Sequence, residues 1–231
     1  MSVIHVMTIP GTGREQYIEA LAAQAAVCIH EDPEKMGILG NHLRSLECAL
    51  EDGGDWPIFA SDDVEALPGW SEELRQVQHF APQPFVSLTH FSKYGQALVR
   101  RGIPWGIGDH GIWGPAFMVH TSVLQAYRDL VQDVADMAYE KYRNWDDGLP
   151  TVFNLIYGTK SAMCARALFQ HLDLESVMGH NLGRWRHAES TIEQPGPWWG
   201  NGRSGAIGLS VQQLHRDLVR EVVSYRKAGP S

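Results

Sequence analysis

Cysteine is scarce in this sequence: Cys28, Cys48 and Cys164 are its only three, far apart and without CxxC spacing. A disulfide framework and a cysteine zinc site are therefore not expected, and the thiols read as buried side chains. No segment approaches the run of about 20 apolar residues that a membrane-crossing helix needs. The start, Met1-Ser2-Val3-Ile4-His5-Val6, has no charged segment ahead of an apolar one. The expectation is a cytoplasmic protein without membrane contact. Positive charge is also in deficit, with a net charge of −8. That argues against a surface that tracks a phosphate backbone along its whole length, although Arg100-Arg101 and residues 184–203 are local basic candidates. There is no internal repeat and no linker that divides two domains.

What is present fits one globular α/β domain. The chain has 231 residues, 44% hydrophobic and 20% charged, enough to bury a sizeable core. Eight tryptophans are many for this length, and most fall in Gly/Pro-rich stretches. Aromatic side chains in loops line sites for sugars or bases, or plug the loops onto the core.

Residues 3–9 read as a buried strand stopped by Pro10-Gly11-Thr12-Gly13. A helix is expected over 14–26 and a second buried strand over 26–30, closed by Glu31-Asp32-Pro33. This is the order of a parallel strand-helix-strand unit. The spacing of Leu43, Leu46 and Leu50 predicts a helix over 40–50, and residues 56–60 a strand entering Ser61-Asp62-Asp63. Further expectations are a helix from Trp70 to about Val77, strands over 85–88 and 116–119, a helix capped by Thr121 and ending near Tyr142, and a short helix over 150–156. Residues 102–114, GIPWGIGDHGIWG, read as a loop, and 193–208 as a long loop. Residues 161–171 favour a helix, with a strand as the alternative. The C-terminal helix is expected to be capped by Ser210, with Val211, Leu214, Leu218 and Val222 inward.

The strongest local signal is Asp62-Asp63, because open α/β sheets place ligands at the carboxyl ends of their strands, and paired carboxylates suit a hard divalent cation that also grips phosphate oxygens. Taken alone, Asp-Asp in a turn is more often a solvated cap. Asp146-Asp147 is a second acidic pair, able to supply a general base or to cap the helix that follows. His180, in Met178-Gly179-His180-Asn181-Leu182-Gly183, is a late histidine able to complete a metal shell.

In order and character the segments GILGNHLRSLECAL, PIFASDDVEALPGW, WDDGLP and VMGHNLG resemble a GT-A glycosyltransferase, over residues 3–185. The later two are similar to elements of the small lipopolysaccharide-type, family 25-like enzymes. The resemblance implies an α/β, Rossmann-like open mixed sheet flanked by helices, in a single domain. It divides into a donor half over 1–101, an acceptor half and lid over 102–208, and a C-terminal helix over 209–231.

The resemblance also implies a metal-dependent transfer of a sugar from a nucleotide sugar, with a UDP-sugar the expected donor. Asp63, Asp62 and His180 would hold Mn²⁺ or Mg²⁺, and Asp147 or Asp146 would be the base. Thr8, Pro10 and Asp32 would surround the nucleoside, and Asn41, Arg44, Trp113 and Gly114 would border the donor. The acceptor would be a glycan, a small molecule, a protein or, in a phage-type DNA glycosyltransferase, a hydroxymethylated base. Inversion would follow if one of the two acids is the base, and retention if both only position the acceptor. Ser61 departs from the pattern, since such enzymes often carry another acid there.

Two other classes compete. A metal-dependent phosphoesterase would need more ligands, grouped around two metals, and His5, His30, His42, His90, His110, His120 and His187 show no such spacing. A non-catalytic nucleotide- or carbohydrate-binding domain would explain the tryptophans but give Asp62, Asp63 and Asp147 no role.

Overall fold

The first strand, Ile4–Thr8, is buried on both faces, as a continuous apolar run broken only by its polar residues suggests. The computed structural model describes residues 2–32, 37–89, 97–108, 115–137, 148–172, 174 and 204–228, with backbone only for residue 38 and residues 204–215. Among them the elements run β1 (Ile4–Thr8), α1 (Glu15–Ala22), β2 (Val27–Glu31), α2 (Ile38–Asp52), β3 (Ile58–Ser61), β4 (Val64–Ala66), α3 (Trp70–Phe80) and β5 (Phe85–Ser87). They continue with β6 (Trp105–Gly108), β7 (Ala116–Val119), α4 (Thr121–Asp136), α5 (Gly148–Tyr157), β8 (Ser161–Cys164), β9 (Phe169–His171) and α6 (Ser204–Ala228).

Seven strands form one open mixed sheet in the order β2-β1-β3-β7-β5-β8-β6, and β4 pairs with β9 in a small second sheet. β1 runs parallel to β2 and β3, while β7 is antiparallel to both β3 and β5. β8 is parallel to β5, and β6 closes the sheet antiparallel to β8. This is the single-domain, Rossmann-like mixed sheet that the resemblance implies.

Alternation along β1 sorts its side chains between two cores. Met7 joins Phe59, Phe85 and Phe117 under Leu46 of α2, Leu124, Tyr127 and Val131 of α4, Phe153 of α5, and Leu218 and Val222 of α6. Ile4 and Val6 join Ile58, Ala60 and Met118 against Ile18 and Leu21 of α1 and Trp70, Leu74 and Val77 of α3. Helices thus cover both faces. Removing one of the fully buried rings, such as Phe59 or Phe117, would cost about 3–5 kcal/mol through lost transfer and an unfilled cavity.

Several local expectations change. Residues 102–114 are not all loop: Trp105–Gly108 is edge strand β6, with Trp105 opposite Cys164 and Gly108 opposite Ser161. Strand-weakening glycines are tolerated there because an edge has a neighbour on one side only. Residues 161–171 form two strands rather than a helix, since long-range pairing with β5 and β4 overrides local propensity. The cap of α4 is His120, whose side chain accepts from the Ser122 N–H, not Thr121. α6 begins at Ser204 rather than Ser210, in spite of Gly205 and Gly208, each of which costs about 1 kcal/mol in a helix interior. Leu218 and Val222 face inward as expected.

Candidate active site

Because β1 is parallel to both neighbours, three strand ends lie side by side: Thr8 is opposite Glu31, and Met7 is opposite Ser61. The backbone N–H of Asp32 donates to the Thr8 carbonyl over 3.1 Å, which fixes the exit of β2 against that of β1. Beyond β1 the chain turns through Gly11 and Gly13, at φ of 77° and 75°, values that suit glycine because a Cβ strains them. That turn delivers Arg14 to the start of α1. Beyond β3 the chain turns through Asp62 and Asp63 into β4.

These turns bring together a buried charge cluster. Arg14 Nη1 donates to Asp62 Oδ1 over 2.6 Å and to Asp63 Oδ2 over 3.2 Å. Its side chain is 8% exposed, against 6% for Asp62 and 13% for Asp63. The Thr8 hydroxyl donates to Asp62 Oδ2 over 2.7 Å, and the Ser61 hydroxyl to Asp63 Oδ1 over 2.6 Å. Ser61, where the resembled enzymes often have an acid, therefore serves as a hydrogen-bond donor. Pairing β4 with β9 sets His171 opposite Val64, and the Leu172 N–H donates to the Asp63 carbonyl over 2.7 Å. The imidazole Nε2 of His171 then lies 3.4 Å from Asp63 Oδ2.

Two carboxylates and one guanidinium leave a formal surplus of one negative charge in a place almost closed to water. Buried ions persist only when paired and hydrogen-bonded. Burial pushes the Asp63 carboxyl up, but the hydrogen bond and charge of His171, then Ser61 and Arg14, outweigh it and hold the group below its ordinary 3.8. Asp63 is thus ionised at neutral pH.

The two acids differ in what they have left to offer. Both oxygens of Asp62 make short bonds, to Thr8 and Arg14, so this residue is anchored. Asp63 Oδ2 has the two longest contacts in the cluster and is the oxygen best able to turn to a divalent cation. His171 Nδ1 is buried and has no hydrogen-bond partner among the described residues. Asp63 therefore fits a hard cation better than Asp62 does, and the His171 nitrogen beside it is Nε2, with Nδ1 on the other side of the ring. Asp62, Asp63 and His171 do not converge on one point, however: among the described residues, the group whose donor atoms lie within 4.8 Å of one another is His5, Cys28 and His30.

Residues expected to border a donor gather at the exit of β2. Asp32 is 4% exposed and its Oδ2 accepts from the Gly37 N–H over 3.0 Å. Asn41 Nδ2 donates to the His30 carbonyl over 2.9 Å, and Arg44 Nη1 to the Glu31 carbonyl over 2.8 Å. Asn41 Oδ1 is buried without a partner among the described residues, an acceptor free for a ligand N–H or O–H. Pro10 is exposed in the turn after β1. Asp146, Asp147, His180, Trp113 and Gly114 lie outside the described residues.

Arg14 and His171 are the two members of the cluster that the sequence did not single out. Arg14 reads as the polar start of a helix, and nothing in its neighbours distinguishes a buried guanidinium from a solvated one. For His171 the available signal was the strand alternative for residues 161–171, which would have set alternate side chains on one face.

No protein-family model matches the chain, and no curated protein matches it. Among solved structures, the A197 protein of STIV is similar at 12% identity with a TM-score of 0.44, over 74% of this chain and 86% of that one. A glycosyltransferase involved in the glycosylation of the major capsid of PBCV-1 is similar at 12% identity with a TM-score of 0.38, over 60% of this chain and 69% of that one. Likeness at this level concerns the course of the chain and transfers no residue's role.

Proposed function

We propose that this protein is a glycosyltransferase that moves a sugar from a nucleotide-diphosphate sugar, with a UDP-sugar as the expected donor, to a hydroxyl acceptor. The observation that carries the reading is the buried, ionised Asp63 beside Asp62 and Arg14 at the carboxyl end of β3, flanked by the exits of β1 and β2. Open α/β sheets bind nucleotides at such strand ends. In this reading Asp32 and Asn41 would border the donor, and Asn41 Oδ1, without a partner among the described residues, suits a base N–H or ribose hydroxyl.

In this reading Asp63 holds Mn²⁺ or Mg²⁺, with His171 or His180 as the imidazole ligand and Asp62 as the anchor that orients Arg14. When bound, the cation supplies charge neutralisation for the departing diphosphate. Arg14 adds fixed positive charge beside it. Asp147 or Asp146 takes the proton of the acceptor hydroxyl, which is that of a glycan, a small molecule, a protein or a modified base in DNA. A phosphoesterase with two metals about 3.5–4 Å apart is less well served, because no second ligand group surrounds Asp63 among the described residues.

Calorimetry of nucleoside diphosphates with and without Mn²⁺ tests the reading, coupled to assay of diphosphate release from nucleotide sugars. Binding is expected to require the metal and to weaken at least about tenfold, or about 1.4 kcal/mol, in Asp63→Asn. Asp147→Asn or Asp146→Asn should retain donor binding and lose turnover. Equal binding without metal and in Asp63→Asn would remove the proposed site.

A further inference from the structure

The opposite face of β1 carries a second polar cluster that the proposed transfer reaction does not use. His5 is paired in register with Cys28 of β2, and His30 follows two residues on, so all three share the face toward α2. His5 is fully buried and His30 is 3% exposed. Their rings stack with centroids 5.3 Å apart, and His5 Nδ1 lies 3.1 Å from His30 Nε2. One donor atom from each of His5, Cys28 and His30 falls within 4.8 Å of the others. From α2, Cys48 stands outside that group but near enough to Cys28 to help, after burial, to hold its thiol above the ordinary value.

A histidine pair sharing one proton accounts for the 3.1 Å contact but not for the other ring nitrogen of His5. That atom, Nε2, is buried without a hydrogen-bond partner among the described residues, and Asp52 Oδ2 stands 3.5 Å from it. We propose that His5 Nδ1, His30 Nε2 and Cys28 Sγ bind a Zn²⁺-class cation, with Cys48 in the fourth position and Asp52 accepting from the His5 Nε2–H. Two nitrogens bound tetrahedrally at 2.0–2.1 Å are about 3.3 Å apart, close to the separation already present. The His5–Asp52 approach is then the carboxylate that orients a ligating imidazole.

Loading needs both imidazoles in the neutral form, with a ring nitrogen lone pair for the metal. Cys28 and Cys48 remain thiols in the metal-free protein, and each releases its proton to solvent as the metal–sulfur bond forms. Both cysteines are half-buried, which leaves the cation a way in. Sequence spacing alone does not suggest this site, because its ligands come from separate strands and a helix. Once loaded it would clip edge strand β2 to β1 and to the end of α2.

The test is a Co²⁺ titration of the chelator-treated full chain. The expected result is one equivalent bound, with tetrahedral d–d bands and a thiolate-to-cobalt charge-transfer band, all displaced by Zn²⁺. Cys28→Ser should cut the charge-transfer intensity by about half, leaving the Cys48 contribution, and weaken Zn²⁺ binding at least about tenfold, and Asp52→Asn should weaken it by about 10- to 100-fold. Asp63→Asn should leave it unchanged, which separates this site from the one proposed for sugar transfer. Independently of any variant, Zn²⁺ should slow alkylation of Cys28, mapped by mass spectrometry, at least about tenfold. Absence of the charge-transfer band, an unaltered titration in Cys28→Ser, or unprotected Cys28 would each overturn the proposal.

Discussion

The two faces of β1 bury polar groups in opposite ways. On the face of Thr8, Arg14, Asp62 and Asp63 are joined by hydrogen bonds of 2.6 to 3.2 Å, and Asp63 stays ionised. On the face of His5, buried imidazoles give up their charge: His42, fully buried between Phe59 and Phe117, is pushed down to about 3 by burial and then by the proximity of His30. The difference follows from partners. A carboxylate beside charged and hydrogen-bonding partners keeps its charge because their gain offsets desolvation, whereas for the fully buried His42 imidazole desolvation wins. One face is prepared for chemistry with charge, the other for lone pairs.

The largest expected effect comes from breaking the ionised face. Arg14→Met leaves two buried carboxylates without their guanidinium and should cost about 3–5 kcal/mol in urea unfolding at neutral pH without added metal. Asp62→Asn in the same background should recover part of that loss, because it removes one of the stranded charges. A loss under about 1 kcal/mol would mean that water already reaches the carboxylates, and the contrast between the faces would collapse.

Acid should act first on the neutral face. His42 titrates near 6.5 when unfolded and at about 3 when folded, so its contribution to stability is fully present above pH 6.5 and is lost as pH falls toward 3. At pH 5 the loss is about 2 kcal/mol from this residue, by linkage at about 1.4 kcal/mol per pH unit. The lowered values of His5 and His30 add in the same direction. Asp63, held below 3.8, changes nothing in that interval. Stability measured at pH 7 and pH 5 in the wild type and in His42→Gln checks this, and equal pH dependence in the two would count against a neutral, buried His42.

How much of this was legible beforehand depended on the range of the interaction. The buried run over residues 3–9, the Pro-Gly stop and the leucine spacing of α2 are local signals, and β1, β2, α2 and β3 appear within two residues of where the sequence put them. Asp62-Asp63 at a strand end was legible for the same reason. β8 and β9 were not: SAMC and FQH are too short to show a period, and become strands by pairing with β5 and β4 far away in sequence. His171 inherits that difficulty, since it reaches Asp63 only through the β4–β9 pair. Arg14 was hidden because helix starts ordinarily carry polar residues to solvent.

The smallest expected effect is also the sharpest probe of the ionised face. Ser61 is half-buried and gives Asp63 Oδ1 a 2.6 Å hydrogen bond, so Ser61→Ala removes one of the groups that favour the charged form without touching Arg14 or His171. A typical hydrogen bond contributes about 1 kcal/mol net, and more when its acceptor is charged. The folded Asp63 value should rise toward 3.8, and the rise should be smaller than in His171→Gln, because His171 acts on this carboxyl more strongly than Ser61. The sign fixes where the loss appears: a lowered carboxyl stabilises the fold above its unfolded value and ceases to do so once protonated. The deficit of Ser61→Ala should therefore be full at pH 6 and shrink below pH 3.8. Carboxyl NMR titration gives the order of the two variants, and a larger rise for Ser61→Ala than for His171→Gln would show that the serine, not the imidazole, holds Asp63 ionised.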